Sequence, residues 1–237
     1  MKHISIVLPT YNERENIVPL IERLQEITTQ NGWFGECIVV DDSSPDGTAQ
    51  AVASRFDDDD GVKLIVRNEE RGLATAIKRG IQEAGGEVVV VMDTDFNHNP
   101  ADVPELVALT KKYPVVVGSR YVPGGGMDMA AARFWGSHIF NLFIRLVLWL
   151  RTRDNLSGFL AVRREVLDTI EDMGKIFYGY GDYCIRFLYH VHRQGMAIKE
   201  VPVVYQMRGA GESKTRLLKY TLQYTASVLR LRFRGLR

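Results

Sequence analysis

The sequence predicts a single α/β domain in which a mostly parallel central sheet is flanked by helices. Short β-branched runs alternate with stretches of helical periodicity through the first 120 residues. Runs as uniformly apolar as these are covered on both faces of a sheet. They recur about every 25–30 residues, which fits βαβ units with right-handed crossovers. The predicted strands are residues 4–8, 37–40, 62–66, 88–91 and 115–117, and the predicted helices are residues 13–28, 48–56, 73–84 and 101–111.

The pattern changes after residue 118. Residues 123–126 read PGGG and are expected to form a mobile loop. The later predicted elements are a long apolar helix at 134–150, a short strand and a helix near 164–171, a helix at 182–194, a strand at 197–205, a loop at 209–214 and a basic terminal helix from 214. No segment reads as a linker between independent domains, so residues 1–237 are interpreted as one domain.

Composition excludes several classes of protein. The chain has 237 residues, of which 46% are hydrophobic and 25% are charged, which is typical of a globular domain and excludes disorder and collagen-like repeats. Its two cysteines, Cys37 and Cys184, are too few for a disulfide framework and are expected to be small buried groups. No signal peptide and no run of about 18 apolar residues are found, so a cytoplasmic location is expected.

The net charge of +1 hides an asymmetry along the chain. Residues 208–237 contain eight basic residues and one acid, a charge of +7, which leaves −6 for the 207 residues before them. An acidic body with a basic terminal segment argues against a general nucleic-acid-binding protein. It favours a local anionic partner, either a phosphate ligand or a membrane surface.

Polar residues follow three of the predicted strands. The first strand is followed by residues 9–13, the second by 41–48 and the fourth by 93–95. Ligands in open α/β sheets bind at the carboxyl ends of strands, so these residues are expected to converge. Asp93 and Asp95 alternate along an extended segment, and one or both carboxylates can reach a single Mg²⁺ or Mn²⁺. Neither a GxGxxG nor a GxxxxGK[ST] motif follows the first strand, which argues against dehydrogenases and P-loop nucleotidases.

These motifs resemble a known family. Residues 9–16 read PTYNEREN, 39–48 VVDDSSPDGT, 92–95 MDTD and 118–121 GSRY, and the similarity continues through SGF at 157–159, EVP at 200–202 and residues 208–214. They are similar to the polyprenyl-phosphate glycosyltransferases of the inverting GT-A glycosyltransferase family 2, and within it to the dolichol-phosphate mannosyltransferase group. The resemblance covers nearly the whole chain and implies the GT-A fold.

The resemblance also implies roles for individual residues. The residues expected to bind the nucleotide sugar are Pro9, Tyr11, Glu13, Val40, Asp42, Met92, Asp93, Thr94, Asp95, Arg208 and Lys214. Asp93 and Asp95 are expected to hold the Mg²⁺ or Mn²⁺, with Asn97 as a further ligand. Arg120 and Lys214 are expected to meet phosphate oxygens during catalysis together with Asp95, and Arg120 and Arg133 to meet the acceptor phosphate.

The implied reaction is transfer of a hexose, with mannose from GDP-mannose favoured, to a polyprenyl or dolichyl phosphate. Residues 1–120 are then the nucleotide-sugar half, 121–213 the acceptor half and 214–237 a basic terminal helix. The helix at 133–150 has a broad apolar surface, and we expect it either to belong to the core or to lie in a membrane interface. In the second case the enzyme binds peripherally at the cytoplasmic face, directly or through a membrane-spanning partner subunit.

Three alternatives stay open at this point. The first is a family 2 enzyme that uses UDP-glucose or another donor with a sugar or hydroxyl acceptor. A hydroxyl requires a general base, and Asp182 is the nearest match to the acid that the family places there. The second is a phosphoacceptor signalling domain, although the paired acids follow the second strand and the chain is too long for one. The third is a non-catalytic membrane-binding scaffold, which the Asp93-x-Asp95 motif disfavours.

Overall fold

The first half of the chain folds as the predicted alternation of strands and helices. The computed structural model describes residues 3–128, 131–206 and 217–236, with side chains for all of these except 131–133 and 217–219. The elements up to residue 119 are β1 (His3–Thr10), α1 (Arg14–Gln30), β2 (Phe34–Asp41), α2 (Thr48–Phe56), β3 (Val62–Val66), α3 (Leu73–Glu83), β4 (Val88–Val91), α4 (Val103–Leu109) and β5 (Val115–Ser119).

The second half adds helices and four strands, of which two join the main sheet and two form a small separate sheet. Its elements are β6 (Gly126–Met127), α5 (Ala131–Leu148), β7 (Leu160–Arg163), α6 (Arg164–Leu167), α7 (Tyr183–Arg193), β8 (Ile198–Pro202), β9 (Val204–Tyr205) and α8 (Leu217–Arg234). Short 3₁₀ turns at Pro100–Asp102 and Met173–Lys175 precede α4 and α7.

The main sheet has seven strands in the order β3-β2-β1-β4-β7-β5-β8. All neighbouring pairs are parallel except those made by β7, which is antiparallel to β4 and β5. The chain moves outward from β1 to β2 and β3 on one side and returns to place β4 on the other. The strand order therefore reverses between β1 and β4, which is the point where open α/β sheets bind ligands.

Both faces of the sheet are covered, which explains the uniformly apolar strands. Along β1, Ile4, Ile6 and Leu8 pack into one buried layer and Val7 into the other. Helix α3 lies so close to the sheet that a Cβ on Gly80 would fall 2.3 Å from Val7 Cγ1. Glycine at this position sets the distance between helix and strand.

Two elements of the second half differ from the prediction. The predicted strand at 197–205 is two strands, because Val203 breaks the ladder and its N–H bonds to the Ser119 carbonyl at 3.1 Å. The PGGG segment packs against neighbouring backbone. A Cβ on Gly125 would lie 2.4 Å from the Ser119 carbonyl oxygen, and the Gly126 N–H donates to the Val203 carbonyl at 3.0 Å.

Helix α5 has one side packed in the core and one side exposed. Ile144 and Leu148 are buried in a cluster with residues of α7 and α8, and Phe140 and Phe143 pack against that cluster. The opposite side is exposed and carries an apolar stripe, which we call the α5 stripe: Trp135, Ile139, Leu142, Leu146 and Trp149. Within the described ranges, no helix is both long and apolar enough to cross a bilayer.

The two cysteines have the predicted structural role. Cys37 and Cys184 are buried and unpaired with each other, and burial raises the pKa of each thiol to about 12. Both are therefore neutral and poorly nucleophilic at physiological pH.

Candidate functional site

A cleft of about 440 Å³ opens at the carboxyl ends of β1, β2 and β4. Its other walls are the start of α3, the loop before α7 and the first turns of α8. The residues that line it are Pro9, Thr10, Tyr11, Glu13, Asp42, Arg71, Gly72, Leu73, Ala76, Asp93, Thr94, Asp95, Tyr180 and Tyr220. Seven of the residues predicted to bind a nucleotide sugar are among them, namely Pro9, Tyr11, Glu13, Asp42, Asp93, Thr94 and Asp95.

The loops after β1 and β2 hold each other in place. The Asp42 N–H donates to the Thr10 carbonyl at 3.0 Å, and the Glu13 N–H donates to Thr48 Oγ1 at 3.0 Å. The Asn12 N–H donates to Ser44 Oγ at 2.9 Å, with Asn12 itself at a φ of 56°. These cross-links fix the backbone that presents Tyr11 and Asp42 to the cleft.

Asp42 is held by a cation that the sequence analysis did not single out. Arg67 Nε donates to Asp42 Oδ1 at 2.7 Å, and the Gly72 N–H donates to Asp42 Oδ2 at 2.7 Å. The side chains of Arg67 and Asp42 are both buried. Arg67 directly follows β3, just as acidic residues follow β2 and β4. This position at a strand end is the sequence signal that would have identified it.

Ser43 has a backbone conformation that favours glycine. Its φ of 52° lies in the left-handed region, which costs a side-chain-bearing residue free energy that glycine avoids. The Ser43 hydroxyl compensates with contacts to the Arg67 carbonyl and to Asn68 Oδ1, both at 2.7 Å.

At one end of the cleft, the guanidinium of Arg71 lies over the ring of Tyr11. The guanidinium carbon of Arg71 lies 5.9 Å from the centre of the Tyr11 ring. Sequence reasoning missed Arg71, since nothing in the sequence distinguishes it from the charged residues just before it. A ring and a guanidinium plane facing one cleft offer a surface on which a flat heterocycle can stack.

The other end of the cleft carries carboxylates with the chemistry of a hard-cation site. Asp93 and Asp95 both line it, and the Asn97 Nδ2 amide donates to Asp95 Oδ2 at 2.7 Å. The Asn97 Oδ1 oxygen is buried and has no hydrogen-bond partner among the described residues. The same residues contain no cluster of three or more His, Cys, Asp and Glu side chains. Two carboxylates and one unused amide oxygen suit Mg²⁺ or Mn²⁺, which also takes oxygens from substrate phosphates and water.

His98 supports the carboxylate turn from inside the protein. Its Nδ1 accepts the Asp93 N–H at 2.9 Å, and its Nε2 lies 3.8 Å from Asp93 Oδ2. The ring stacks on Phe159 at 4.9 Å and meets Tyr205 edge-on at 4.7 Å. Burial lowers the pKa of His98 to about 4, so the imidazole is neutral at physiological pH. The predicted metal-binding turn therefore rests on a buried aromatic layer.

Two residues predicted to bind the nucleotide sugar do not reach the cleft. The side chains of Val40 and Met92 are fully buried on the two faces of the sheet. Each precedes an aspartate that does line the cleft, so the motif placed them correctly along the chain. Their side chains pack in the core, and a role of either residue in binding the nucleotide sugar stays a prediction.

Arg120 has a different partner from the phosphate that was predicted. Its Nε and one Nη donate to the two carboxylate oxygens of Asp154, each at 2.7 Å. Both side chains are buried, and the guanidinium lies 4.5 Å from the Tyr205 ring. Burial alone would lower the pKa of Arg120, but the Asp154 carboxylate outweighs it and keeps the guanidinium charged. In this geometry the fork that suits a phosphate is filled by a carboxylate, and the role of Arg120 in binding phosphate stays a prediction.

Asp182 is also enclosed. Its Oδ2 accepts from Arg186 Nη1, its Oδ1 accepts the Tyr180 N–H at 3.2 Å, and both side chains of the ion pair are at most 2% exposed. Both of its carboxylate oxygens are hydrogen-bonded inside the protein, and Asp182 is not among the residues that line the cleft. The geometry therefore disagrees with the general-base role considered for Asp182.

Three predicted residues cannot be compared with the geometry. Arg208 and Lys214 lie outside the described residues, and Arg133 lies in α5 but its side chain is not described. Their roles in binding phosphate stay predictions.

Known structures with a similar fold bind nucleotides. The glucosyl-3-phosphoglycerate synthase of Mycobacterium tuberculosis, solved with Mn²⁺, UDP and glucosyl-3-phosphoglycerate, matches 98% of this chain and 80% of its own with a TM-score of 0.71 and 23% identity. The same enzyme with Mg²⁺ and UDP matches with a TM-score of 0.72 and 22% identity over 98% of this chain and 79% of its own. At this identity the likeness establishes the fold alone, and it confirms the predicted GT-A architecture.

Sequence relatives are more similar. The dolichol-phosphate mannosyltransferase of Pyrococcus furiosus is 34% identical over 96% of this chain, which spans 63% of that relative's length. The undecaprenyl-phosphate mannosyltransferase of Micrococcus luteus is 33% identical over 89% of this chain and 86% of its own. The dolichol-phosphate mannosyltransferase of Saccharomyces cerevisiae is 31% identical over 89% of this chain and 80% of its own.

The family model described as "Glycosyl transferase family 2" matches residues 5–171, which include the strand ends that form the cleft. The predicted resemblance is confirmed by this match and by relatives above 30% identity along most of their length. The chain belongs to glycosyltransferase family 2.

Proposed function

We propose that this glycosyltransferase moves mannose from GDP-mannose to a polyprenyl or dolichyl phosphate at a membrane surface, with inversion at the anomeric carbon. The names of its relatives support a polyprenyl-phosphate acceptor and a mannosyl group. The observation that carries the choice of acceptor is the burial of Asp182 against Arg186.

The donor is proposed to lie along the cleft with its base at Tyr11 and Arg71 and its diphosphate at Asp93 and Asp95. Asp42, oriented by Arg67, faces the nucleoside end as a hydrogen-bond acceptor. A divalent cation, when held by Asp93 and Asp95 with the Asn97 oxygen, neutralises charge on the diphosphate leaving group. Arg208 and Lys214 are proposed to meet the phosphate oxygens.

The acceptor is proposed to be a phosphate because, among the described residues, the nearest match to the family's base is Asp182, which is buried against Arg186. A phosphate monoester has a second pKa of about 6 and is largely ionised at neutral pH, so its oxygen attacks without a general base. That oxygen forms a bond to C1 of the sugar as the bond from C1 to the diphosphate oxygen breaks, and GDP leaves. A hydroxyl acceptor would need Asp182 as its base. The ion pair with Arg186 weighs against that alternative.

The surface of α5 and α8 supports peripheral membrane binding. The α5 stripe exposes two tryptophans and three aliphatic residues, and α8 contains basic residues but no acid. An amphipathic surface of this kind lies in the headgroup region with its apolar side toward the acyl chains, while basic residues attract anionic lipids. We therefore propose attachment to the cytoplasmic face of a membrane, directly or beside a membrane-spanning subunit, with Arg133 near the acceptor phosphate.

A panel of labelled nucleotide sugars tests the proposal. Purified protein is incubated with Mg²⁺, lipid extract and radiolabelled GDP-mannose, GDP-glucose, UDP-glucose or UDP-galactose, and label in the organic phase is counted. We expect transfer from GDP-mannose, and no transfer by an Asp95→Asn variant. Transfer only from a UDP-sugar would overturn the donor, and label only in water-soluble products would overturn the lipid acceptor.

A further inference from the structure

Helix α8 belongs to two surfaces at once. Tyr220 lines the cleft and stacks on Tyr180, with ring centres 4.5 Å apart. On the outside of the same helix, Leu222, Leu229 and Phe233 are 66%, 42% and 81% exposed. The sequence analysis predicted no role for any of these residues.

The cleft side of α8 is joined to the loop that carries Tyr180. The Gly181 N–H donates to Tyr224 Oη at 3.0 Å, and Arg186 Nη1 donates to Ser227 Oγ at 3.0 Å. Arg186 also donates to the carbonyls of Ile176 and Tyr178, which lie in the same loop. A shift of α8 therefore moves the aromatic wall formed by Tyr180 and Tyr220, because the helix and loop share these bonds.

The outer side of α8 has the pattern of a membrane-contacting helix. Leu222, Ala226, Leu229 and Phe233 follow one another at steps of four, three and four residues, and all are exposed. Arg230, Arg232 and Arg234 flank this row. The Arg232 guanidinium lies 4.1 Å from the ring of Trp149, so the row adjoins the α5 stripe. Basic residues around a continuous apolar surface match an anionic lipid surface.

Few residues of α8 are buried against the rest of the protein. Of its described side chains, only Ser227, Val228 and Leu231 are buried. A helix of 18 residues is marginally stable in water without packing on its apolar side. A bilayer that covers the outer row removes further apolar area from water. This burial stabilises α8 in the position in which Tyr220 lines the cleft.

We propose that α8 couples membrane docking to donor binding, with Tyr220 as a donor-contacting residue. The inference rests on the membrane docking proposed above. Membrane docking orders α8. Donor binding then no longer includes the unfavourable free energy of ordering this helix. Such coupling is reciprocal, so bound nucleotide strengthens membrane docking by the same factor.

The test measures both directions of the coupling on the full chain. GDP affinity is determined with Mg²⁺ alone, with neutral phosphatidylcholine vesicles and with vesicles that contain phosphatidylglycerol. Vesicle partitioning is then measured by flotation with and without saturating GDP. We expect the anionic vesicles to raise GDP affinity at least about fivefold, and GDP to raise partitioning by an equal factor.

Variants on each side of α8 distinguish the contribution of its cleft side from that of its outer side. Tyr220→Ala is expected to float with anionic vesicles as the parent does while showing no vesicle-dependent gain in GDP affinity, and Tyr220→Phe should retain the gain. The double variant Leu229→Ser, Phe233→Ser is expected to lose the gain together with part of its flotation. Phe34→Ser changes a residue that is 65% exposed at the start of β2, and it serves as the control. Thermal melts confirm that each variant is folded.

The outcomes distinguish this inference from the proposed function. If GDP binds and the protein floats, but neither affinity depends on the other, the coupling is wrong and the proposed function stands. If the gain persists in Tyr220→Ala, α8 does not transmit it through this residue and the inference is overturned. If GDP does not bind under any condition, both the inference and the proposed donor are overturned.

Discussion

The cleft edge of the sheet and the region beyond β5 use their charged residues in opposite ways. At the ends of β2 and β4, Asp42, Asp93 and Asp95 reach the cleft. Beyond β5, the carboxylates of Asp154 and Asp182 are closed inside ion pairs with Arg120 and Arg186. The first set lines the cleft, where Asp42 is also paired with Arg67, whereas the second set is enclosed by the protein and does not line the cleft.

This difference shows where a sequence motif predicts the environment of a side chain and where it does not. Parallel strands that end at one edge bring the residues after them together whatever the rest of the chain does. Beyond β5, each charged residue comes from a loop or a helix whose environment depends on tertiary packing. Residue type and order then say little about whether a side chain faces a ligand or a buried partner.

The largest expected effect is at the cleft edge. Asp95→Ala should reduce transfer about a thousandfold or more, because the diphosphate loses its anchoring carboxylate and the cation with it. The melting temperature should change little. Asp58→Ala, in an exposed loop, is the matched control. Excess chelator should have the same effect as the variant, and full activity in chelator would contradict the metal assignment.

The second prediction concerns the ion pair between Arg120 and Asp154, which lies beyond β5. Arg120→Met should lower the free energy of unfolding by about 3–5 kcal/mol, because Asp154 stays buried without its partner. The double variant Arg120→Met, Asp154→Leu should recover much of this loss. Urea denaturation measures both. An unchanged stability with a raised KM for the lipid acceptor would restore the role of Arg120 as a phosphate ligand.

A third, smaller effect concerns the nucleoside end of the cleft. Asp42→Ala should weaken GDP binding about tenfold, since a hydrogen bond to a carboxylate contributes about 1.5–3 kcal/mol when it is made well. Arg67→Met should weaken binding less, because it acts on the orientation of Asp42. Calorimetry with GDP and Mg²⁺ gives both values. Equal affinities in all three proteins would remove Asp42 from the binding site.

The smallest effect distinguishes the two sides of α5. Leu146→Ser, in the exposed stripe, should change the free energy of unfolding by no more than about 0.5 kcal/mol and weaken vesicle partitioning roughly tenfold. Ile144→Ala, two residues away and fully buried, should cost about 2–5 kcal/mol of stability. Flotation and thermal melts are run in parallel. A Leu146→Ser protein that melts early and still floats would show that the stripe is not the docking surface.

The fold could be predicted further than the site. The five strands of the first half came from apolar runs, and the seven cleft residues came from the polar strand ends together with the resemblance to family 2. The burial of Val40 and Met92 could not be predicted, because a motif marks positions and not side-chain direction. Arg67 and Arg71 were missed because their roles appear only once β3 and α3 lie beside the cleft.

Helix α5 shows a further limit of sequence reasoning. Asn141 is polar, yet it is buried and its side-chain oxygen accepts the Asn155 N–H at 2.7 Å. Phe140 and Phe143 pack inward, while Ile139 and Leu146 face out. The helix is apolar on most of its circumference, so only its packing against α7 and α8 decides which side is left exposed.

A matched pair of acceptors tests the central claim most directly. The protein is given GDP-mannose, Mg²⁺ and vesicles that contain either a polyprenyl phosphate or the corresponding polyprenol, and lipid-linked mannose is measured as the pH is raised from 5 to 8. We predict transfer to the phosphate alone, with a rate that rises through the acceptor's second pKa of about 6. Transfer to the polyprenol at a comparable rate would contradict the account, because it would require a general base that the buried Asp182 does not provide.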